Sequence, residues 1–250
     1  MIVLEACVDS VESAAAAVAA GAHRVELCAN LVEGGTTPSV GAIERAAGDL
    51  GADVMVMIRP RGGDFVYSRR ELAVMERDIE AAQTAGAAGV VFGCLTPEGE
   101  VDRDAVRTLV QEANPLKVTF HRAFDVCRDP HEALESLVDL GVDRVLTSGQ
   151  RGSAPEGLDL IAALVSAADD RIVVMPGVGI TAANIMAVAK ATRAREFHVY
   201  TERVRDSRMR FRKDGIPMGR PYEPEEYILL EPDPDEIAAM ARALTDASLG

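Results

Sequence analysis

The sequence predicts a closed α/β barrel: eight parallel strands, each followed by a helix, forming a single domain over residues 1–250 (the TIM, or (β/α)8, barrel). Three observations lead there. Eight short β-rich runs alternate with eight helical runs, mostly alanine-rich. The chain has 250 residues, the usual length of such a barrel as one domain. A weak internal repeat marks the units: Gly21, Gly51, Gly86 and Gly141 each end a helical run, and a strand residue follows four positions later at Val25, Met55, Val90 and Val145. Glycine takes the left-handed conformation at little cost, so the chain turns back there into the next strand. An open doubly wound sheet is the competing architecture.

The strands are expected at Ile2–Val8, Arg24–Cys28, Asp53–Arg59, Gly89–Gly93, Lys117–His121, Arg144–Ser148, Arg171–Met175 and Glu196–Tyr200. Each is a short run rich in Val, Ile, Met or Phe bounded by turn residues. Helices are expected over 11–20, 39–49, 69–85, 102–113, 130–140, 156–168, 181–191 and 234–247. The strand-to-helix loops differ from one another and are rich in Gly, Pro, Arg and Asp, as suits the face that carries chemistry. A long connection, 201–234, separates the last strand from the last helix. It holds Arg203, Arg205, Arg208, Arg210, Arg212, Lys213 and Arg220, a locally basic loop in an acidic protein. Connections of that length in compact domains are functional or mobile.

With 26 Lys+Arg against 40 Asp+Glu the formal charge is −14, which argues against nucleic-acid binding because phosphates are repelled. No run of about 18 uncharged apolar residues exists, so no membrane span is expected. The N-terminus reads as a strand rather than a secretory signal, and cytoplasmic residence is the default. Cys7, Cys28, Cys94 and Cys127 lie far apart and read as free thiols. No organic cofactor motif is evident.

Strand residues alternate sides, so residues two apart share a face. The outer face of a barrel strand packs beneath apolar helices. Glu5 and Cys7 in the first strand, Glu26 and Cys28 in the second, Met55, Met57 and Arg59 in the third, Thr119 and His121 in the fifth, and Glu196 and His198 in the eighth are therefore expected to point inward. Burying this many ionisable groups costs several kcal/mol each, roughly, unless they pair. A polar pocket at the C-terminal mouth is the reading they support; the bland alternative is a salt-bridge network that plugs the barrel.

Motifs at the strand ends add candidates. RPRGGD carries Arg59 and Arg61, guanidinium forks suited to carboxylate or phosphate, with Gly62 and Gly63 allowing close backbone approach. In TFHRAFD, His121 suits a base, an acid or a ligand, and Arg122 and Asp125 suit orienting it or binding substrate. Glu26 is a second candidate for moving a proton. TSGQ contributes Ser148. PGVG places Gly177 and Gly179 ahead of an expected helix start at Thr181, a geometry that barrels use for phosphate. Cys7 and Cys28 lie on neighbouring strands about 4.8 Å apart. Two thiolates suit Cu(I), and Met55 or Met57 can add thioether sulfur.

The runs EACVDSVESA, RVELCANLVEGGTTPS, VMIRPRGGDFVYS, VVFGCL, VTFHRAFD, DRVLTSGQ, VMPGVGI and EFH resemble the CutC family, described as copper homeostasis proteins, from Leu4 to about Gly219. The resemblance implies a cytoplasmic, oligomeric (dimeric or tetrameric) barrel linked to copper tolerance. It also implies Cu(I) binding by two cysteines that match Cys7 and Cys28. The strand-end residues shared with the family match Glu5, Glu26, Arg59, Arg61, His121, Arg122, Asp125 and His198. That set looks like an enzyme pocket for a small anionic molecule, with no reaction attached to it.

Overall fold

The computed structural model describes residues 2–213, 215 and 228–248. Eight strands form one parallel sheet: β1 (Val3–Val8), β2 (Arg24–Leu27), β3 (Asp53–Met57), β4 (Gly89–Phe92), β5 (Lys117–Phe120), β6 (Arg144–Thr147), β7 (Val173–Pro176) and β8 (Glu196–Val199). Their order in the sheet is β7-β6-β5-β4-β3-β2-β1-β8, and a parallel bridge between Gly177 and His198 joins the two ends. The ring follows chain order, which is the expected barrel rather than the open doubly wound sheet.

The helices are α1 (Val11–Ala19), α2 (Val40–Asp49), α3 (Arg69–Thr84), α4 (Arg103–Ala113), α5 (Pro130–Asp139), α6 (Leu158–Ala168), α7 (Ile185–Thr192) and α8 (Pro234–Ser248). Short polar residues start several of them. Ser10, Ser39, Ser68, Asp102 and Asp129 each accept a hydrogen bond from a first-turn amide, and Ser68 with Glu71 completes a reciprocal cap. The four repeat glycines have φ between +61° and +106°. After α1, α3 and α5 the residue beyond the glycine donates back into the last helical turn, as in Ala22 to Ala17, Ala87 to Ala82 and Val142 to Leu137.

Alternation sorts the side chains. Leu4, Ala6, Val8, Val25, Leu27, Val54, Val56 and Val90 join the buried core between strands and helices. A second, smaller buried cluster fills the barrel interior: Cys28, Met55, Met57 and Val91, with Cys7 and Leu31 against it.

Two expectations change most. The seventh helix starts at Ile185, not 181, because residues 182–184 form turns first. The 201–234 segment is not one plain loop: β9 (Arg203–Asp206) pairs antiparallel with β10 (Ile228–Glu231), and Arg205 and Arg203 meet Glu231. Arg220 lies outside the described residues.

Candidate functional site

The floor of the barrel is an ion-pair network. Arg24, at the start of β2, bonds Glu5 and reaches Glu196 at 2.6 Å; Arg144, at the start of β6, bonds Glu196 at 2.5 Å and Thr119 at 3.1 Å. Glu5 is fully buried. Burial opposes its charge, but the Arg24 guanidinium and His198 more than offset this and hold its pKa down at about 2. The plug considered from sequence is therefore real for Glu5 and Glu196, and its cations are Arg24 and Arg144.

Above this floor Cys7, Glu26, Cys28 and His198 converge. One donor atom each from Cys7, Glu26 and His198 lies within 4.8 Å of the others. Cys28 Sγ is 3.5 Å from Glu26 Oε2. His198 Nδ1 lies 2.8 Å from Glu5 Oε1, and its Nε2 is 3.8 Å from Glu26 Oε2. The ionised Glu5 only accepts, so Nδ1 carries a proton and Nε2 faces the sulfur side. Hydrogen bonding to the Cys28 thiol, helped by His198, pulls the Cys7 thiol down to about 5 against the cost of burial. The same contact and burial push Cys28 well up. Burial raises Glu26 as well, with the negative Cys7 and Glu5 nearby. Burial disfavours a charged His198, yet its anionic neighbours Glu26, Cys7 and Glu5 raise its pKa well above 6.5. A single low-pKa thiol thus sits beside an imidazolium.

A cavity of about 460 Å³ opens above these groups at the C-terminal mouth. Cys7, Glu26 and His198 line one side, and Arg59, Phe65, His121 and Arg122 are also in its wall. His121 follows the end of β5. Its Nδ1 accepts from the Ala123 amide at 3.2 Å, so the ring proton is on Nε2, which is buried without a protein partner. Burial, aided by Arg59, lowers its pKa to about 3, and the ring is neutral at pH 7. Arg59 uses both terminal nitrogens on the Glu33, Gly35 and Gly63 carbonyls, leaving Nε buried and unpartnered. Its guanidinium lies 5.2 Å from the Phe65 ring centre, and Phe65 is 4.9 Å from His121. Glu26 Oε1 is the third unpartnered buried atom on this wall.

Other candidates have different tasks. Asp125 is a hub: it accepts from Arg122 Nε at 2.7 Å, Thr147 Oγ1 at 2.5 Å, the Ser148 amide at 3.0 Å and the Gln150 amide at 3.2 Å. Its acceptor sites are filled, so it holds the 147–150 turn and Arg122 instead of taking a proton from a ligand. Ser148 is fully buried and supports Arg122 Nη2 at 3.0 Å. Arg61 does not line the cavity. It bonds Glu71 at 2.6 Å, Asp64 at 3.0 Å and the Val66 carbonyl, pinning its own loop to α3.

The phosphate seat expected at Gly177 and Gly179 loses its first amide to the sheet. The Gly177 amide donates to Thr147 at 3.0 Å, Asn184 takes the Thr181 amide, and the Glu236 carboxylate occupies the Ala182 amide at 2.7 Å. Gly177 serves closure instead: a Cβ there would meet Leu146 Cδ1 at 2.6 Å and His198 Cβ at 3.2 Å. Gly179 lies in the cavity wall at φ +70°, where a Cβ would come within 2.8 Å of Ser153.

A model of the CutC family matches residues 2–203. The chain is 47% identical over 238 residues to a CutC family protein of Parabacteroides distasonis, covering 95% of this chain and 98% of that one. It is 49% identical over 237 residues to the human copper homeostasis protein cutC homolog, covering 95% and 87%. The CutC crystal structure from Streptococcus agalactiae superposes with a TM-score of 0.75 at 38% identity, over 80% of this chain and 98% of that one.

Proposed function

Since the chain belongs to the CutC family of copper homeostasis proteins, we propose that it binds Cu(I) through Cys7 and Cys28, with His198 as a third donor. The observation that carries this is the convergence of Cys7, Glu26 and His198 donors within 4.8 Å, next to the Cys28 thiol. The donor set fits the ion. Two sulfurs and an imidazole suit a soft monovalent metal, and the surrounding Met55, Met57 and Val91 keep water away. Met57 is a further sulfur on that wall. Cys7 is partly exposed and gives the entry side. Competition for Cu(I) against a chelator tests the reading: the Cys7→Ala/Cys28→Ala protein is expected to lose its affinity, and an affinity equal to wild type defeats it.

The unpartnered His121 Nε2 and Arg59 Nε in the mouth cavity favour a second reading, an enzyme pocket for a small anionic molecule. Arg122 adds a cation whose Nη1 makes no protein hydrogen bond among the described residues. We also propose self-association through the β9–β10 arm. Its exposed Val204, Met209, Phe211 and Leu229 suit a second copy, and its basic residues suit that copy's acidic body. Size-exclusion of the chain with and without residues 201–234 tests this; an unchanged elution state rejects it. A reducing cytoplasm suits the four unbridged cysteines, and among the described residues no helix is long and apolar enough to cross a membrane.

A further inference from the structure

Cys7, His198 and Glu5 form a relay in which Glu5 orients the same imidazole that would hold a metal. Glu5 is clamped by Arg24 and takes the Nδ1 proton side of His198, which turns Nε2 toward the Cys7 sulfur. This is the order nucleophile, base, orienting carboxylate. Cys7 is also the one cysteine that lines the mouth cavity. The ring order adds the second half. β5 is four strands from β1 in either direction, so His121 sits across the mouth from Cys7. Its Nε2–H is buried, unpartnered and in the wall of the same cavity. A carbonyl between the two residues would meet a nucleophile at carbon and a donor at oxygen.

We propose that the copper-free protein is a thiol acyl hydrolase for small esters or thioesters that carry a carboxylate. It rests on the reading of the cavity as a pocket for a small anionic molecule. Cys7 Sγ, a thiolate paired with the His198 imidazolium, attacks the carbonyl carbon. The C–O or C–S bond to the leaving group breaks, and His198 gives its proton to the departing alcohol or thiol. Water then attacks the acyl-Cys7 thioester; His198, neutral after protonating the leaving group, accepts the water proton, and Cys7 departs as the thiolate, which restores the starting pair. The net reaction is ester plus water giving acid plus alcohol. His121 Nε2–H bonds the carbonyl oxygen throughout, and Arg122 Nη1, beside it, binds the carboxylate. Glu5 is a positioning residue. Copper on Cys7 and acyl transfer by Cys7 exclude each other.

The test uses full-length, copper-free protein with mono-4-nitrophenyl glutarate as the anionic probe and 4-nitrophenyl acetate as the neutral one. The expected result is a burst of 4-nitrophenolate with one acyl group, mapped by mass spectrometry to Cys7. Cys7→Ser should abolish the burst, and His121→Leu, which removes the donor, should slow it by about 10²-fold, the usual worth of one such donor. Acylation of Cys28, Cys94 or Cys127 in preference to Cys7, or a Cys7 rate no greater than that of free glutathione, overturns the proposal. A Cys7 burst with no preference for the glutarate probe, or a preference that survives Arg122→Gln, keeps the thiol chemistry and rejects the anionic pocket. His198→Asn should also abolish the burst, and should that variant fail to fold, the Cys7 and His121 variants still decide.

Discussion

His198 and Glu5 are register partners on adjacent strands, and their side chains meet inside the barrel at 2.8 Å. The contact joins the ion-pair floor to the sulfur layer above it, so the orientation of the His198 ring depends on a carboxylate that never faces the cavity. A group that holds a ligand's imidazole is typically worth about 10–100-fold in metal affinity. Glu5→Gln is therefore expected to weaken Cu(I) binding by about that factor, measured by chelator competition. Affinity equal to wild type would show that His198 takes no part in holding the ion.

Arg24 faces two carboxylates, and its side chain is only 7% exposed. Replacing it leaves Glu5 buried with its main countercharge gone. Removing one partner of a buried pair costs about 3–5 kcal/mol. Arg24→Met should lower the urea unfolding free energy by about that amount. A loss below about 1 kcal/mol would place this pair with exposed ones.

The same parity that placed Glu26 and Cys28 inside also holds Arg24, two residues earlier on β2. Its role could have been read from sequence by carrying the alternation back to the strand's first residue. Arg144 is two before Leu146 on β6 and follows the same rule. The inward set of Glu5, Glu26, His121 and His198 was legible because one face of each strand is apolar and packs under helices. Arg61 was not: it lies four residues past the end of β3, in a loop that turns it onto Glu71 and Asp64. Nor was the fate of the Gly177 amide, because a neighbouring strand's carbonyl consumes it. The long basic segment gave no strand signal strong enough to show that Arg203–Asp206 pairs with Ile228–Glu231. Pairing across so many residues is a property of the fold, not of either run.

Asp125 offers a clean separation of structural from chemical roles. Its oxygens accept from two side chains and two amides besides the Ser148 hydroxyl, all around the 147–150 turn. Asparagine keeps the shape but loses the charge and one acceptor. Each hydrogen bond to a charged group is worth about 1.5–3 kcal/mol. Asp125→Asn should destabilise by at least about that much in urea melts, with Cu(I) affinity at Cys7 unchanged. Loss of metal affinity at unchanged stability would reverse the assignment and put Asp125 in the site.

His121 sets a pH dependence whose sign follows from its burial. Its pKa is about 3 in the fold against an ordinary value of 6.5. Between these values the unfolded chain binds a proton that the folded chain refuses. The stability tied to a neutral His121 is thus present above pH 6.5 and lost as pH falls, by up to about 1.4 kcal/mol per pH unit. Glu5, held at about 2 against 4.5, adds its own loss only below pH 4.5. Gln at 121 keeps an acceptor for the Ala123 amide and removes the titration. Urea melts of wild type and His121→Gln at about pH 7.5 and about pH 5 should show wild type losing about 2 kcal/mol relative to the variant. A difference between the two proteins that does not change over this range would mean that His121 is accessible to protons and that its Nε2 does not sit in a dry wall.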